Sequence, residues 1–170
     1  MSQHVTHPIP PVFDSHSRIL ILGSFPSVKS REIHFFYGHP QNRFWPLVSA
    51  LRGEPLPASV AEKEAFLLRN RIALWDVIAS CDIEGSSDSS IKNAVPNDLN
   101  RILEAAPIAA VFTNGGVSSR LYERYCLPRT NMAAIRLPST SPANAAFSVE
   151  RLKASWRRIN DFLPPAAPRA

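Results

Sequence analysis

Apolar residues along this chain fall into two patterns. In the first they run without alternation. Arg18-Ile-Leu-Ile-Leu22 is such a run, closed by Gly23, and Ile72–Trp75, Ile108–Thr113 and Met132–Arg136 resemble it. Short unbroken runs suit strands buried on both faces, as in parallel sheets. In the second pattern the apolar positions recur at helical spacing. Phe44, Leu47, Val48 and Leu51 share one face of a helix predicted over Arg43–Leu51, with Asn42 as its N-cap. Ser59-Val-Ala-Glu62 fits a capping box opening a helix that runs to Arg69. Pro96-Asn-Asp98 leads into a helix carrying Leu99, Ile102 and Leu103, which Pro107 ends. Residues 117–125 read as helical. Ser148 caps a last helix whose buried face holds Val149, Leu152, Trp156 and Ile159.

Between these elements the chain is polar. Residues 1–17 read as a lead-in and 28–42 as irregular. Residues 80–97, rich in Ser, Asp and Asn, read as one long loop. Residues 163–170, with Pro164, Pro165 and Pro168, read as a fraying tail. One domain over 18–162 follows, with no internal repeat. Strands alternating with helices predict an α/β fold: a three-layer α/β/α sandwich around a mainly parallel, four-stranded sheet. Loops beginning at Gly23, Asn114 and Leu137 each follow a strand. In such a sheet they gather at the carboxyl edge, where open α/β folds bind ligands.

Composition narrows the classes. The chain has 170 residues and a formal charge of +5, and 15 of its 19 cationic side chains are Arg. That permits a polyanionic partner without requiring one. Cys81 and Cys126 are too few for a four-thiolate zinc or iron–sulfur site. No apolar run approaches the roughly 18 residues of a membrane span. The first residues lack the apolar core of a signal peptide. The expectation is a soluble protein of a reducing compartment, the bacterial cytoplasm and nucleoid, with no membrane association.

Four segments carry candidate chemistry. Gly23-Ser-Phe-Pro-Ser27 is a tight strand exit in which Gly23 lets a backbone approach a ligand. It contains neither a Gly-x-Gly-x-x-Gly nor a Walker lysine–serine pair. In His34–Trp45 aromatics alternate with polar and cationic groups, so rings can sandwich a planar base while amides bond its edge. Asn42 can both donate and accept, which suits holding a water, and capping a helix accounts for it equally well. Asn114 can read a base edge or simply occupy a turn. Leu137–Asn144, with Arg136 beside it, offers hydroxyls and backbone donors to phosphates. Asp76 is a strand-end acid that can equally cap a turn. Asp82, Glu84 and Asp88 fall in a loop, and nothing in their spacing marks a metal site. Cys81 and Cys126 read as structural thiols.

These segments resemble, in order and spacing, the hypoxanthine-DNA (DNA-deoxyinosine) glycosylases of the uracil-DNA glycosylase superfamily. The resemblance covers roughly residues 18–160. Tyr37-Gly-His-Pro-Gln-Asn-Arg-Phe-Trp45 is its strongest segment, close to a family pattern Tyr-Ala-His-Pro-x-Asn-x-Phe-Trp. Gly23–Ser27 matches the first motif, usually Gly-Ser-Met-Pro-Gly, with Phe25 and Ser27 as departures. Ser139–Asn144 matches the second. Asp88–Ile91, Pro96–Asp98 and Asn114-Gly115 also match. The resemblance implies a uracil-DNA glycosylase-like fold and a monofunctional glycosylase, acting as a monomer without metal or cofactor on a deaminated base flipped from damaged DNA. It places catalysis on Asn42. Gly23, Ser24, Phe25, Phe36, Tyr37, Phe44 and Asn114 would recognise the base. Arg43, Arg136, Ser139, Thr140, Ser141, Pro142 and Asn144 would contact DNA. A mismatch-specific uracil or thymine glycosylase and a non-catalytic DNA-binding module are the alternatives.

Overall fold

A computed structural model describes residues 2–166. Its centre is a four-stranded, wholly parallel sheet. β2 (Ile19–Gly23) lies between β3 (Ile72–Asp76) and β6 (Ala110–Asn114), and β7 (Ala134–Leu137) forms the far edge, giving the order β3-β2-β6-β7. All five residues of β2 and of β3 are buried, as their unbroken apolar runs require. The register sets Gly23 beside Asp76 and Asn114 beside Leu137. The carboxyl ends of all four strands therefore finish in one row.

Helices flank this sheet: α2 (Phe44–Leu51), α3 (Val60–Arg69), α4 (Asn100–Ala105), α5 (Gly116–Tyr125) and α7 (Val149–Trp156). Their starts follow the capping logic of the sequence. The Ser59 hydroxyl accepts the Glu62 N–H at 3.1 Å, while the Glu62 carboxylate reaches back to the Ala58 N–H at 2.8 Å. Ser148 accepts the Arg151 N–H. Leu152, Trp156 and Ile159 are buried as expected, but Val149 is exposed because it sits in the first turn, turned to solvent.

Three stretches differ from expectation. The polar lead-in is part of the domain: β1 (Gln3–Thr6) pairs antiparallel with β4 (Ile78–Ile83). Ile9 and Val12 enter the core, and Val12 exchanges two backbone hydrogen bonds with Leu74. Residues 80–97 are not one loop. β4 and β5 (Lys92–Pro96) form, with β1, a second, antiparallel sheet in the order β1-β4-β5. Ile78, Cys81 and Ile83 are buried on β4, whereas Ser80 and Asp82 are only partly so. Its polar residues lie on the wetter face of a strand. Within 28–42, α1 (Val28–Ile33) forms, with Ser27 accepting the Ser30 N–H. A short helix not expected, α6 (Leu127–Thr130), follows α5. Leu163 is buried and the Pro164 carbonyl accepts from Arg52, so the tail is anchored at its start. Its last residues, 167–170 with Pro168, lie outside the described residues, as does Met1.

Candidate active site

Above the row of strand ends lies a cleft of about 320 Å³. The first loop, Gly23 to Ser27, forms one wall, and Ser139–Ala143 form the other. Phe36, Tyr37, Asn42, Asp76, Asp88 and Asn114 line it between them, with Ser30, His39 and Ser86. A second groove adjoins it, shares Asp88, Asn114, Ser139 and Ser141, and adds Gly115, Gly116, Arg136 and Asn144.

The two amides of the cleft are joined through one hydroxyl. Asn114 meets Thr140 twice: its Nδ2 donates to the Thr140 hydroxyl at 3.0 Å, and its Oδ1 accepts the Thr140 backbone N–H at 3.0 Å. The Thr140 hydroxyl donates a hydrogen bond to Asn42 Oδ1 at 2.9 Å. That same oxygen accepts the Phe44 N–H at 2.9 Å. A backbone donor on one side and a hydroxyl on the other settle which end of the Asn42 amide is oxygen. Both lone pairs are engaged, so the NH₂ is the end left for the cleft. Helix α2 starts one residue later than expected, at Phe44, and Asn42 still supplies a cap bond to its first N–H. Capping and a role in the cleft coexist in one side chain because they use different atoms.

Arg43 belongs to the support. Its guanidinium donates to the carbonyls of Ser141 (2.9 Å), Asn144 (3.0 Å) and Phe147, and its backbone N–H donates to Thr140 O. It latches the 139–147 loop over the cleft and is not a free phosphate contact. Thr140 likewise is fully buried and holds the amides rather than DNA. Asn144 donates its amide to Ser139 O, shaping the same loop. Ser139, Ser141 and Pro142 do reach the cleft, and exposed Arg136 stands over Gly116 in the adjoining groove. Gly115 turns from β6 into α5 at φ 102°, where a side chain would also press on Ser139.

Aromatic packing sorts the expected base contacts. Phe25, Phe36 and Tyr37 line the cleft. Phe44 does not. It is fully buried and stacks beneath Tyr37, with ring centroids 4.1 Å apart, so it stiffens Tyr37 instead of meeting a base. The Tyr37 hydroxyl is buried beside the Asn114 amide, without a partner in full bonding geometry. Burial, and then the negative charge of Asp76, push its pKa far above the ordinary phenol value.

Asp76, left open by the sequence, sits on the cleft floor. A Cβ on Gly23 would fall against Asp76 Oδ1 and lie 3.3 Å from the Tyr37 hydroxyl, so only glycine fits here. The other carboxylate oxygen, Oδ2, accepts a hydrogen bond from His7 Nε2 at 2.7 Å. His7 comes from the supposed lead-in, and nothing in its surroundings along the chain marked it. Asp88, on the rim, accepts the Ser24 hydroxyl at 2.7 Å. Burial raises its carboxyl pKa, the Ser24 bond opposes this, and the charge of Asp76 adds to it.

None of the four lysines lines the cleft. Cys81 and Cys126 are free and buried, and burial pushes both thiols up to about 11, which leaves them unreactive. Among the described residues no cluster of His, Cys, Asp or Glu is arranged to hold a metal.

The chain is similar to known proteins over most of its length. The sequence profile of the uracil DNA glycosylase superfamily matches residues 10–163. A protein of Methanosarcina acetivorans named hypoxanthine DNA glycosylase is 38% identical over 151 residues, covering 88% of this chain and 94% of its own. One of the same name from Methanosarcina barkeri is 36% identical over 148 residues, covering 86% and 92%. A solution NMR structure from Methanosarcina acetivorans, provisionally named a uracil DNA glycosylase, superposes with a TM-score of 0.76 at 34% identity, over 93% of this chain and 99% of that one.

Proposed function

The chain belongs to the uracil DNA glycosylase superfamily, a family of hydrolases of N-glycosidic bonds in DNA, and we propose that the deaminated base it releases is hypoxanthine. The two Methanosarcina relatives named for that base support the substrate. One observation supports the chemistry: the Thr140 hydroxyl ties Asn114 to Asn42 and leaves the Asn42 NH₂ as its free end in the cleft.

An amide with its oxygen twice occupied cannot take a proton. It can hold the oxygen of a water in place. That suffices for a reaction in which bond breaking leads, building positive character on the sugar before water adds and gives its proton to the departed base anion. The departing base then carries the negative charge, and the first-loop backbone N–H groups and the Asn114 amide, which also lies beside the Tyr37 hydroxyl, are the donors we assign to stabilise it. Flipping of the nucleotide is implied, because the cleft floor lies at the strand ends, out of reach of a stacked base. Ser139, Ser141 and Pro142 would meet the strand beside the vacated position.

The test is release of free base, under single-turnover conditions, from duplexes carrying hypoxanthine, xanthine, uracil or a G·T mismatch. Wild-type protein should release hypoxanthine fastest. Asn42→Ala should lose roughly 100-fold in rate, the scale of a misplaced reacting group, while its DNA affinity changes little. Its thermal stability should fall by what the lost cap bond and the unpaired, buried Thr140 hydroxyl cost, about 1–3 kcal/mol. Wild-type rates in folded Asn42→Ala would remove the catalytic role.

A further inference from the structure

Asp76 and His7 form a buried pair, with side chains only 5% and 3% exposed. The two nitrogens of His7 have different tasks. Nδ1 accepts the Ile9 backbone N–H at 3.1 Å, so the ring proton sits on Nε2 and is donated to Asp76 Oδ2. Phe25 meets the imidazole edge-on at 5.8 Å and Phe36 packs at 6.2 Å, flanking the ring that the two hydrogen bonds orient. With Oδ2 taken, Asp76 turns Oδ1 to Gly23 and the cleft floor. The Tyr37 hydroxyl, buried without a partner in full bonding geometry, lies close by: a Cβ on Gly23 would fall against Asp76 Oδ1 and stand 3.3 Å from the Tyr37 oxygen.

We propose that the Asp76 carboxylate, held by His7, accepts the ring N–H of the flipped base while the Tyr37 hydroxyl donates to the neighbouring exocyclic oxygen, so that this pair reads the chemical mark that deamination leaves. The inference rests on the glycosylase reading above and specifies how its pocket selects a base.

Deamination of adenine turns the ring N1 from a lone pair into an N–H, and the C6 amino group into a carbonyl. Deamination of cytosine does the same at N3 and C4. The acceptor-only carboxylate complements the product and opposes the ring lone pair of the parent base, while the phenol, which can donate or accept, complements the new carbonyl without itself excluding an amino group. A site whose buried polar groups would be left unpaired rejects the wrong analogue far more strongly than a shape mismatch does. The phenol supplies its proton reliably, since burial keeps it un-ionised. Guanine and thymine also carry the ring N–H, so their exclusion falls to other contacts. His7 is a positioning residue. It touches no base in this arrangement but decides which carboxylate oxygen faces it.

The experiment compares single-turnover release of two bases from the same duplex: hypoxanthine, and purine itself, which lacks both the exocyclic oxygen and the ring N–H. Loss of a hydrogen bond to a charged group should slow hypoxanthine release by His7→Ala roughly 10- to 100-fold. Purine release should be unchanged, because purine never made these bonds. His7→Gln, which keeps an N–H donor of similar reach, should recover part of the loss. Asp76→Asn should do more. His7 would bond the amide oxygen and turn the NH₂ to the base, reversing the polarity of the floor. Hypoxanthine release should fall about 100-fold or more and its preference over adenine should narrow. A general structural defect would slow both bases alike, and an equal loss for hypoxanthine and purine would overturn the role of His7. An unchanged preference over adenine in Asp76→Asn would overturn the role of Asp76. Wild-type protein that releases no hypoxanthine would overturn the proposed substrate itself, a result distinct from either.

Discussion

Thr140→Val probes the hydroxyl on which the site is hung. The substitution replaces an oxygen by a methyl of similar size at a fully buried position. Two bonds disappear, the one from Asn114 Nδ2 at 3.0 Å and the one to Asn42 Oδ1 at 2.9 Å. The Thr140 backbone N–H still holds Asn114 Oδ1. Asn114 therefore keeps one anchor, and Asn42 keeps only the Phe44 N–H. Leaving buried polar groups unpaired costs about 1–3 kcal/mol, and a chain of this size loses roughly 2–4 °C in Tm for each kcal/mol. The larger effect should be on rate. Freed from one side, the Asn42 amide can swing, and a displacement of about 1 Å at a positioning group can cost 100-fold. Thr140→Ser is the control. It keeps the hydroxyl and removes a buried methyl, worth roughly 0.8 kcal/mol, so it should be slightly destabilised and close to wild type in rate. Thermal unfolding and single-turnover base release, measured on both variants, decide the matter. A folded Thr140→Val protein with the wild-type rate would refute the idea that this hydroxyl organises the cleft.

Two further expectations follow from electrostatics. Exposed Arg136, beside the cleft in the adjoining groove, is the expected phosphate contact, and Arg136→Gln should weaken duplex binding for all sequences alike and reduce the salt slope of log affinity by about 1. An unchanged slope in a salt titration would exclude that contact. On the opposite account of charge, burial pushes the Glu54 carboxyl up, but hydrogen bonds from Arg69 and Asn70 and the charges of Arg69 and Arg52 outweigh it and hold the pKa below the ordinary value. The stability it contributes is thus present above its unfolded pKa of roughly 4.3 and lost as pH falls through the lower folded value. Glu54→Gln should have a lower Tm than wild type at neutral pH, and the difference should close under acid in a pH series of melting curves.

Much of the frame was legible from the chain alone. Unbroken apolar runs such as Ile19–Leu22 suit strands covered on both faces, and the 3-4 spacing of Phe44, Leu47 and Val48 suits one buried side of a helix. Periodicity is a local property, and so are caps like Ser59 and Ser148. Hence the parallel sheet, its loops at Gly23, Asn114 and Leu137, and the joining of those loops in one cleft could be expected before any coordinate. The second sheet was hidden because β4 and β5 carry polar residues at their wetter positions, and composition cannot distinguish a half-wet strand from a loop. Only the tertiary structure decided which atoms face the cleft. Arg43, Thr140 and Phe44 stand in a recognisable motif, yet each turns inward to hold a neighbour. His7 lies 69 residues from Asp76, in a segment without periodicity. Its place is set by β1 pairing with β4 and by Val12 bridging to Leu74, which carry the ring to the end of β3. A hydrogen bond between distant residues leaves no trace in the spacing of either one, because its geometry belongs to the packed chain and not to the order of its residues.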